Sequence, residues 1–222
     1  MNPSDSTPGS GIRIRQVRLP EDGPGLLDLD TSFRTREILR VRVDDSGVSI
    51  EPERLSAPLG KRFALEEELG RERAWDEGFV AIVTGGPADP GASSVTAGTR
   101  GSTIPGLSSP PESGPDGDRV VGFLALRWEG WNRRAAIWHL YVTRDARRGG
   151  IGRKLLDEAD AQARAAGLRC LWLEVTNVNL PAIRFYQRCG FRLCGLDASL
   201  YDPAGEAAGE CALYLSRPID PT

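Results

Sequence analysis

At residues 147–156 the chain reads Arg147-Arg148-Gly149-Gly150-Ile151-Gly152-Arg153-Lys154-Leu155-Leu156, which is a glycine-rich turn. It follows Tyr141-Val142-Thr143, which is typical of a strand end, and leads into apolar positions with helical spacing. The first N–H groups of a helix have no internal partner, and the helix dipole places partial positive charge there. Glycine also lets the backbone approach a ligand closely. The stretch therefore predicts a strand–turn–helix unit that holds an anion, and we interpret the anion as a pyrophosphate.

The rest of the chain predicts a mixed α/β arrangement, with mostly antiparallel strands early and a strand–helix–strand–helix unit later. A hairpin over 41–50 is predicted around the turn at 44–47. Gly167 is predicted to end the helix that follows the glycine-rich turn, while Pro181 suits the first turn of a later helix and Gly190 lies just past its end. The predicted strands cover residues 12–17, 79–84, 120–128, 135–142, 171–175, 191–196 and 210–215. The other predicted helices lie within 20–29, in part of 62–77, and over 179–188.

Residues 85–118 differ in composition from the rest of the chain. Of these 34 residues 20 are Gly, Pro or Ser and none is aromatic, so the segment offers little apolar surface to bury. We predict a flexible loop inserted between two strands of one sheet; a lid over the substrate site is the alternative. Residues 1–11 are predicted to be a disordered tail, 12–217 a single domain, and 218–222 a second tail.

Composition narrows the class of function. The net charge of -3 argues against a general nucleic-acid binder, and no apolar run approaches the roughly 18 residues of a membrane span. The four cysteines form no CxxC pair and the polar start resembles no secretory signal, which predicts reduced thiols in a cytoplasmic protein. With a single histidine, no metal site is expected.

Two motifs carry a resemblance to a known superfamily. Arg147-x-x-Gly150-x-Gly152 resembles the acyl-CoA pyrophosphate loop of the GNAT N-acetyltransferases, and a second motif follows at the matching distance, Asn179-x-x-Ala182-x-x-x-Tyr186-x-x-x-Gly190-Phe191. The resemblance implies an α/β (α+β) GNAT fold: a mixed, mostly antiparallel central sheet, splayed at the acetyl-CoA site and flanked by about four helices. It also implies acetyl-CoA as co-substrate.

A narrower resemblance, from about residue 12 to 217, is to the streptothricin (nourseothricin) acetyltransferases. It is carried by the segments 131–134, 171–179 and 193–202, and by Leu29-Asp30-x-Ser32-Phe33. These enzymes acetylate an amine of an antibiotic that contains β-lysine. One departure concerns the strand before the pyrophosphate loop, where the family tends to carry two acids and this chain has Trp138 and His139.

The resemblance also implies which residues bind the donor. Backbone N–H groups of 149–153, with nearby arginine charges, would hold the pyrophosphate, and Leu140 would donate its N–H to the thioester oxygen. Asn179 would hold the pantetheine amide. The full predicted donor-binding set is Leu140, Tyr141, Val142, Arg147, Arg148, Gly149, Gly150, Ile151, Gly152, Arg153, Asn179, Ala182 and Tyr186.

For catalysis, Tyr186 is the predicted general acid toward the leaving thiolate, since a phenol has a pKa of about 10; a core tyrosine is the alternative. Three candidates remain open for the base: Glu174, His139 and water. Because Leu173 and Val175 should face the core, Glu174 should point to the opposite side of its strand.

His139 has a suitable unperturbed pKa of about 6.5, but its apolar neighbours are equally typical of a packed core residue. Trp138, His139, Asp30 and Asp197 are candidate contacts for the acceptor, and each aspartate has an ordinary turn or cap role as its alternative.

The leading functional hypothesis is an acetyl-CoA-dependent N-acetyltransferase acting on a primary amine of a small molecule by direct attack in a ternary complex. A streptothricin-type antibiotic is the candidate acceptor. A protein or peptide N-terminus is the alternative acceptor. A non-catalytic acyl-CoA-binding module is the alternative from another class. Neither nucleic acid nor membrane is an expected partner, and the expected assembly is a monomer or a homodimer.

Overall fold

The computed structural model describes residues 11–65, 69, 74–83 and 118–219. Nine strands lie in this part of the chain: β1 (Ile12–Gln16), β2 (Phe33–Asp44), β3 (Gly47–Lys61), β4 (Glu77–Val83), β5 (Arg119–Glu129), β6 (Arg134–Val142), β7 (Cys170–Thr176), β8 (Arg192–Asp197) and β9 (Ala212–Pro218). Its helices are α1 (Gly23–Leu27), α2 (Ile151–Ala165) and α3 (Leu180–Arg188), with a 3-10 turn at Arg144–Ala146.

Seven strands form one sheet in the order β1-β4-β5-β6-β7-β9-β8, and β2 and β3 form a separate hairpin. Every neighbouring pair in the large sheet is antiparallel except β6 and β7, which run parallel. That parallel ladder holds only three residue pairs and ends at Ala136 and Trp172. Beyond this point the two strands diverge, so the sheet is splayed between 137–142 and 173–176, as predicted.

A β-bulge sits on β6 at the start of the splayed part. Ala125 is opposite His139 and Leu126 is opposite Ile137, so Trp138 is the extra residue. A bulge bends its strand and re-aims the side chains around it. This one directs β6 away from β7.

The two faces of the sheet bury different clusters. One face packs on α2 and α3 through residues such as Leu155, Leu156 and Ile183. The other face carries Val80, Phe123 and Ala125 and packs on Leu26 of α1 and on Trp75. At about 0.8 kcal/mol per buried CH₂, such residues dominate the stabilisation of the sheet.

Asn177, immediately after β7, joins three elements. Its amide group donates to the Leu39 carbonyl of β2 at 2.7 Å, and its side-chain oxygen accepts from the Cys211 N–H beside β9 at 2.8 Å. The residue is 5% exposed, and both the nitrogen and the oxygen of its side-chain amide are hydrogen-bonded. It therefore anchors the hairpin to the end of β7, near Glu174.

Most predicted elements are present, with shifted boundaries. Gly167 and Gly190 take positive φ just after α2 and α3, as expected of helix stops. The hairpin is much longer than the predicted 41–50, and the predicted C-terminal tail starts too early, because Pro218 belongs to β9 and Ile219 is 8% exposed in the core.

Leu65 and Leu69 are helical in the segment 62–77, while 66–68 and 70–73 lie outside the described residues. The tail at 1–10 and the insertion at 85–117 also lie outside them. Three helices are thus described from end to end, and Leu65 and Leu69 lie in the region of the remaining predicted helix.

Candidate active site

Backbone donors converge at the start of α2. Within the described residues, the N–H groups from Arg148 to Arg153 have no hydrogen-bond acceptor, and the first bond of the helix is from the Lys154 N–H to the Gly150 carbonyl. These six consecutive donors, together with the positive end of the helix dipole, fit an anion such as a pyrophosphate. The predicted anion site would therefore consist of backbone N–H groups.

Two glycines serve this turn in different ways. Gly150 has φ of 80°, a left-handed conformation in which nothing lies within 4 Å of where a Cβ would stand. Gly152 instead faces α3, where a Cβ would lie 3.0 Å from the Phe185 ring. Gly150 thus shapes the turn, and Gly152 permits the close packing of α2 on α3.

Arg147 has a structural task. Its guanidinium donates to the carbonyls of Val142 at 2.8 Å, Asp30 at 3.0 Å and Ser32 at 2.8 Å. These three bonds tie the end of β6 to the segment that precedes β2. Its charge remains beside the turn, but these donors point at the protein and away from the predicted anion.

The splayed edge of β6 offers further donors. The Thr143 N–H bonds to the Val121 carbonyl of β5 at 2.9 Å, which fixes the alternation of the ladder. By this alternation Tyr141 bonds toward β5, whereas the N–H groups of Leu140 and Val142 face the gap left by β7. An extended amide-bearing chain such as pantetheine could pair with this edge in the manner of an added strand.

Asn179 and Ala182 lie on the other side of the gap, at the start of α3. Asn179 is the N-cap, and its side-chain oxygen accepts from the Ala182 N–H at 3.3 Å. Only its amide NH₂ group remains to meet a ligand.

Tyr186 lies in α3 at the bottom of the gap, 7% exposed, with its ring 5.3 Å from that of Phe191. Its hydroxyl makes no hydrogen bond to any residue in the described part of the chain. Burial raises the pKa of Tyr186, and the nearby Glu174 carboxylate adds to the rise. The phenol is therefore kept protonated at neutral pH, the state that a general acid requires.

Glu174 lies on β7 at the splayed part, on the face opposite Leu173 and Val175, which are buried as predicted. Water reaches its carboxylate, yet protein surrounds it on several sides, and this burial raises its pKa. The hydroxyl of Tyr201 donates to its Oε1, and the charge of Lys61 lies close; both oppose the rise. The other carboxylate oxygen has no hydrogen-bond partner among the described residues.

Beside Glu174 lies a second polar group that sequence reasoning missed. Lys61, at the end of β3, bonds both carboxylate oxygens of Glu210 at 2.8 and 2.9 Å. The Thr176 hydroxyl donates to the same carboxylate at 2.5 Å. Lys61 and Glu210 are 149 residues apart, and no sequence pattern could have joined them.

Trp138 and His139 stand where the resembled family tends to carry two acids, and the two residues differ in exposure. His139 is 7% exposed, with its ring 5.8 Å from Phe123 and 5.7 Å from Tyr141, which matches the packed-core alternative. Trp138 is 40% exposed, and the guanidinium of Arg127 lies 5.3 Å from its ring. Of the two, only the tryptophan presents a broad surface to solvent.

Asp30 and Asp197 both act in turns, as their ordinary alternatives predict. The Asp30 carboxylate accepts from the Ser32 N–H at 2.9 Å, and that of Asp197 accepts from the N–H and hydroxyl of Ser199, each at 2.8 Å. Burial alone would raise the pKa of Asp30, but the bonds from Ser32 and the charge of Arg147 lower it. The bonds from Ser199 lower the pKa of Asp197. Both carboxylates therefore stay ionised.

Two recesses of about 360 and 290 Å³ lie elsewhere, one lined by Gln187 and 190–193 and the other by 74–76 and Arg127. Neither includes a predicted site residue. In the described part of the chain no group of His, Cys, Asp and Glu is placed to hold a metal ion, and no helix is long and apolar enough to cross a membrane.

Comparison with known proteins defines the class. The profile of the Acetyltransferase (GNAT) family matches residues 111–191, which include the β6 edge, the glycine-rich turn and α3. A Bacillus anthracis protein solved in complex with acetyl coenzyme A shares the fold, with a TM-score of 0.65 and 20% identity over 95% of this chain and 99% of that one. The fold is that of a GNAT-type acetyltransferase.

Two relatives extend over nearly the whole chain. The streptothricin acetyltransferase of Streptomyces lavendulae is 37% identical over 213 residues, which cover 96% of this chain and 98% of that protein. The crystal structure of nourseothricin acetyltransferase has a TM-score of 0.70 and 33% identity, covering 94% of this chain and 99% of that one. The chain therefore belongs to the GNAT family, in the group that contains the streptothricin acetyltransferases, and it is an N-acetyltransferase with acetyl-CoA as donor.

Proposed function

We propose that this enzyme acetylates a primary amine of a small molecule, and that the acceptor is a streptothricin-type antibiotic carrying β-lysine. The observation that supports the acceptor best is the similarity over almost the entire chain to streptothricin and nourseothricin acetyltransferases. A carboxylate at the gap agrees with a cationic amine, because Glu174 offers one open oxygen there. In this proposal Glu174 takes over the role of the two acids that the family tends to carry where this chain has Trp138 and His139.

The geometry of the turn and of the β6 edge supports the donor-binding roles of this proposal. The N–H groups of 148–153 hold the pyrophosphate, the N–H groups of Leu140 and Val142 meet the pantetheine arm, and the Asn179 amide closes the other side. Acetyl-CoA supplies the acetyl thioester when bound. Leu140 then aligns its N–H with the thioester oxygen, where a placed donor stabilises developing negative charge.

Proton transfer is assigned to two side chains that lie on opposite sides of the gap. Glu174 takes a proton from the acceptor ammonium, and Tyr186 supplies one to the departing sulfur. Cys189 needs no part, since the amine attacks directly and no acyl-enzyme forms. Each placed proton-transfer group contributes about 10²–10⁴-fold.

The test is an acceptor panel with acetyl-CoA and detection of the free thiol. Nourseothricin should give steady thiol release, whereas short peptides with free N-termini should give little. The Glu174→Gln enzyme serves as control and should lose about 10²–10⁴-fold in kcat. Absence of release with every β-lysine compound would refute the acceptor, and release with peptides alone would favour the N-terminal alternative.

The same proposal places the enzyme in the cytoplasm, where acetyl-CoA is present. All four cysteines are free thiols in the structure, three of them buried and Cys194 exposed. That state agrees with a reducing compartment.

A further inference from the structure

Tyr201 reaches the proposed base from a distant part of the chain. It lies in the connection between β8 and β9, 27 residues beyond Glu174, and its ring is half-buried against the end of the sheet. Its hydroxyl donates to Oε1 of Glu174. The bond therefore ties an aperiodic loop to the side chain that the proposed reaction needs.

This bond leaves the carboxylate with one oxygen held and one open. The other titratable groups around it are Lys61 from β3, Glu210 before β9, Tyr214 from β9 and Tyr186 from α3. Lys61 is engaged with Glu210, and Tyr214, opposite Glu174 in the ladder, stacks on Trp172 with ring centroids 5.2 Å apart. Among the described residues, only Tyr201 donates a hydrogen bond to Glu174.

We propose that Tyr201 is a positioning residue for Glu174: its hydroxyl fixes Oε1, aims Oε2 at the acceptor amine and stabilises the ionised carboxylate. The inference rests on the proposed function, in which Glu174 is the base. In the step concerned, an N–H bond of the acceptor ammonium breaks and an O–H bond forms at Oε2. The electron pair left on nitrogen then serves the attack on the donor.

The electrostatics predict the direction in which the pKa of Glu174 should change when the Tyr201 hydroxyl is removed. Burial raises the pKa of Glu174, and the bond from Tyr201 is the first of the opposing effects. Removing the hydroxyl should therefore raise the pKa further. Because the base must be ionised, the acid limb of the pH profile should move to higher pH.

The experiment compares Tyr201→Phe with Tyr214→Phe, which removes a nearby phenol hydroxyl that is not bonded to Glu174. We expect the acid limb of kcat/KM to move up by about one pH unit in Tyr201→Phe, since hydrogen bonds to charged groups are the strong ones. The plateau should also fall, by roughly threefold to tenfold, because Oε2 is no longer aimed at the acceptor amine. In Tyr214→Phe the acid limb of the pH profile should lie at the same pH as in wild type. An acid limb at the same pH in Tyr201→Phe and wild type would overturn the inference.

Repeating the substitution in the Glu174→Gln enzyme distinguishes a positioning effect on Glu174 from a general structural effect of Tyr201→Phe. In Glu174→Gln enzyme, adding Tyr201→Phe should change kcat/KM by less than about twofold, since the coupled partner is already gone. An equal loss in both backgrounds would overturn the positioning role. Failure of the proposed function has another signature: wild type would release no thiol with any amine, or Glu174→Gln would be as active as wild type.

Discussion

At the scale of single residues, Glu174 combines a proposed catalytic task with a cost in stability. The folded state raises its pKa, so between the unfolded value of about 4.3 and the raised value the folded chain binds the proton more tightly. Stability from this group is thus fully present below the unfolded pKa and is lost as pH rises through the folded pKa. At neutral pH the ionised carboxylate destabilises the fold.

Glu174→Gln should therefore be slightly more stable than wild type at pH 7 while losing catalysis. The expected gain in the free energy of unfolding is small, on the order of 0.5 kcal/mol, because water still reaches the carboxylate. The difference should vanish below about pH 4, where the wild-type group is protonated. Urea unfolding at pH 4 and pH 7 measures both. Glu210→Gln is the contrast, since it breaks the Lys61 pair and should cost about 1 kcal/mol at pH 7. A loss of stability in Glu174→Gln at pH 7 would contradict this account.

At the scale of elements, the sequence predicted the turns and helix ends that depend on neighbouring residues. The glycine-rich turn, both helix stops and the Pro181 start of α3 follow from backbone preferences that act over a few residues. The full length of β3 escaped prediction because Pro52 and Pro58 interrupt the strand pattern. The structure accommodates them because the hairpin is a two-stranded sheet, so each strand has an edge that needs no partner strand. Tyr201 escaped because its loop has no periodicity.

The turn before α2 allows a matched test of the anion site. Gly150 and Gly167 flank the same helix with φ of 80° and 67°, and both have open space where a Cβ would stand. Alanine at either position should cost about 1 kcal/mol of stability, because a Cβ disfavours the left-handed conformation. Only Gly150→Ala should also raise the Kd for acetyl-CoA, by about tenfold, since it brings a methyl group to the backbone N–H groups of 148–153. Titration calorimetry with acetyl-CoA compares the two, and equal affinities would place the pyrophosphate elsewhere.

At the scale of the whole molecule, the sheet explains why one gap can serve donor and acceptor together. The parallel ladder between β6 and β7 ends after three pairs, and the bulge at Trp138 turns β6 away. The backbone donors of 148–153 then lie at one side of the gap, while Glu174 and its partner loop lie at the other face. Sequence motifs predict the donor side residue by residue. The proposed acceptor side is assembled from β3, β7 and the β8–β9 connection, whose proximity only the fold determines.

The same sheet predicts that the insertion is dispensable for the fold. Val83 and Arg119 are paired at the ends of β4 and β5, so a short turn can replace the 35 residues between them. Replacing 85–117 by Asn-Gly leaves a four-residue loop. The replacement halves the loop length about three times. If the segment is the flexible loop that its composition predicts, this shortening should raise the free energy of unfolding by about 2 kcal/mol.

The control for this replacement is a Gly/Ser segment of the original length, which should match wild type in stability because closure entropy depends on length and only weakly on sequence. Both variants should keep kcat/KM with nourseothricin within about threefold, since the proposed site is built from β6, β7, α2 and α3. Denaturant unfolding and thiol release measure the two quantities. A folded short-loop enzyme that has lost its activity would instead support the lid alternative, because the chain would then need this segment over the gap where Glu174 meets the acceptor.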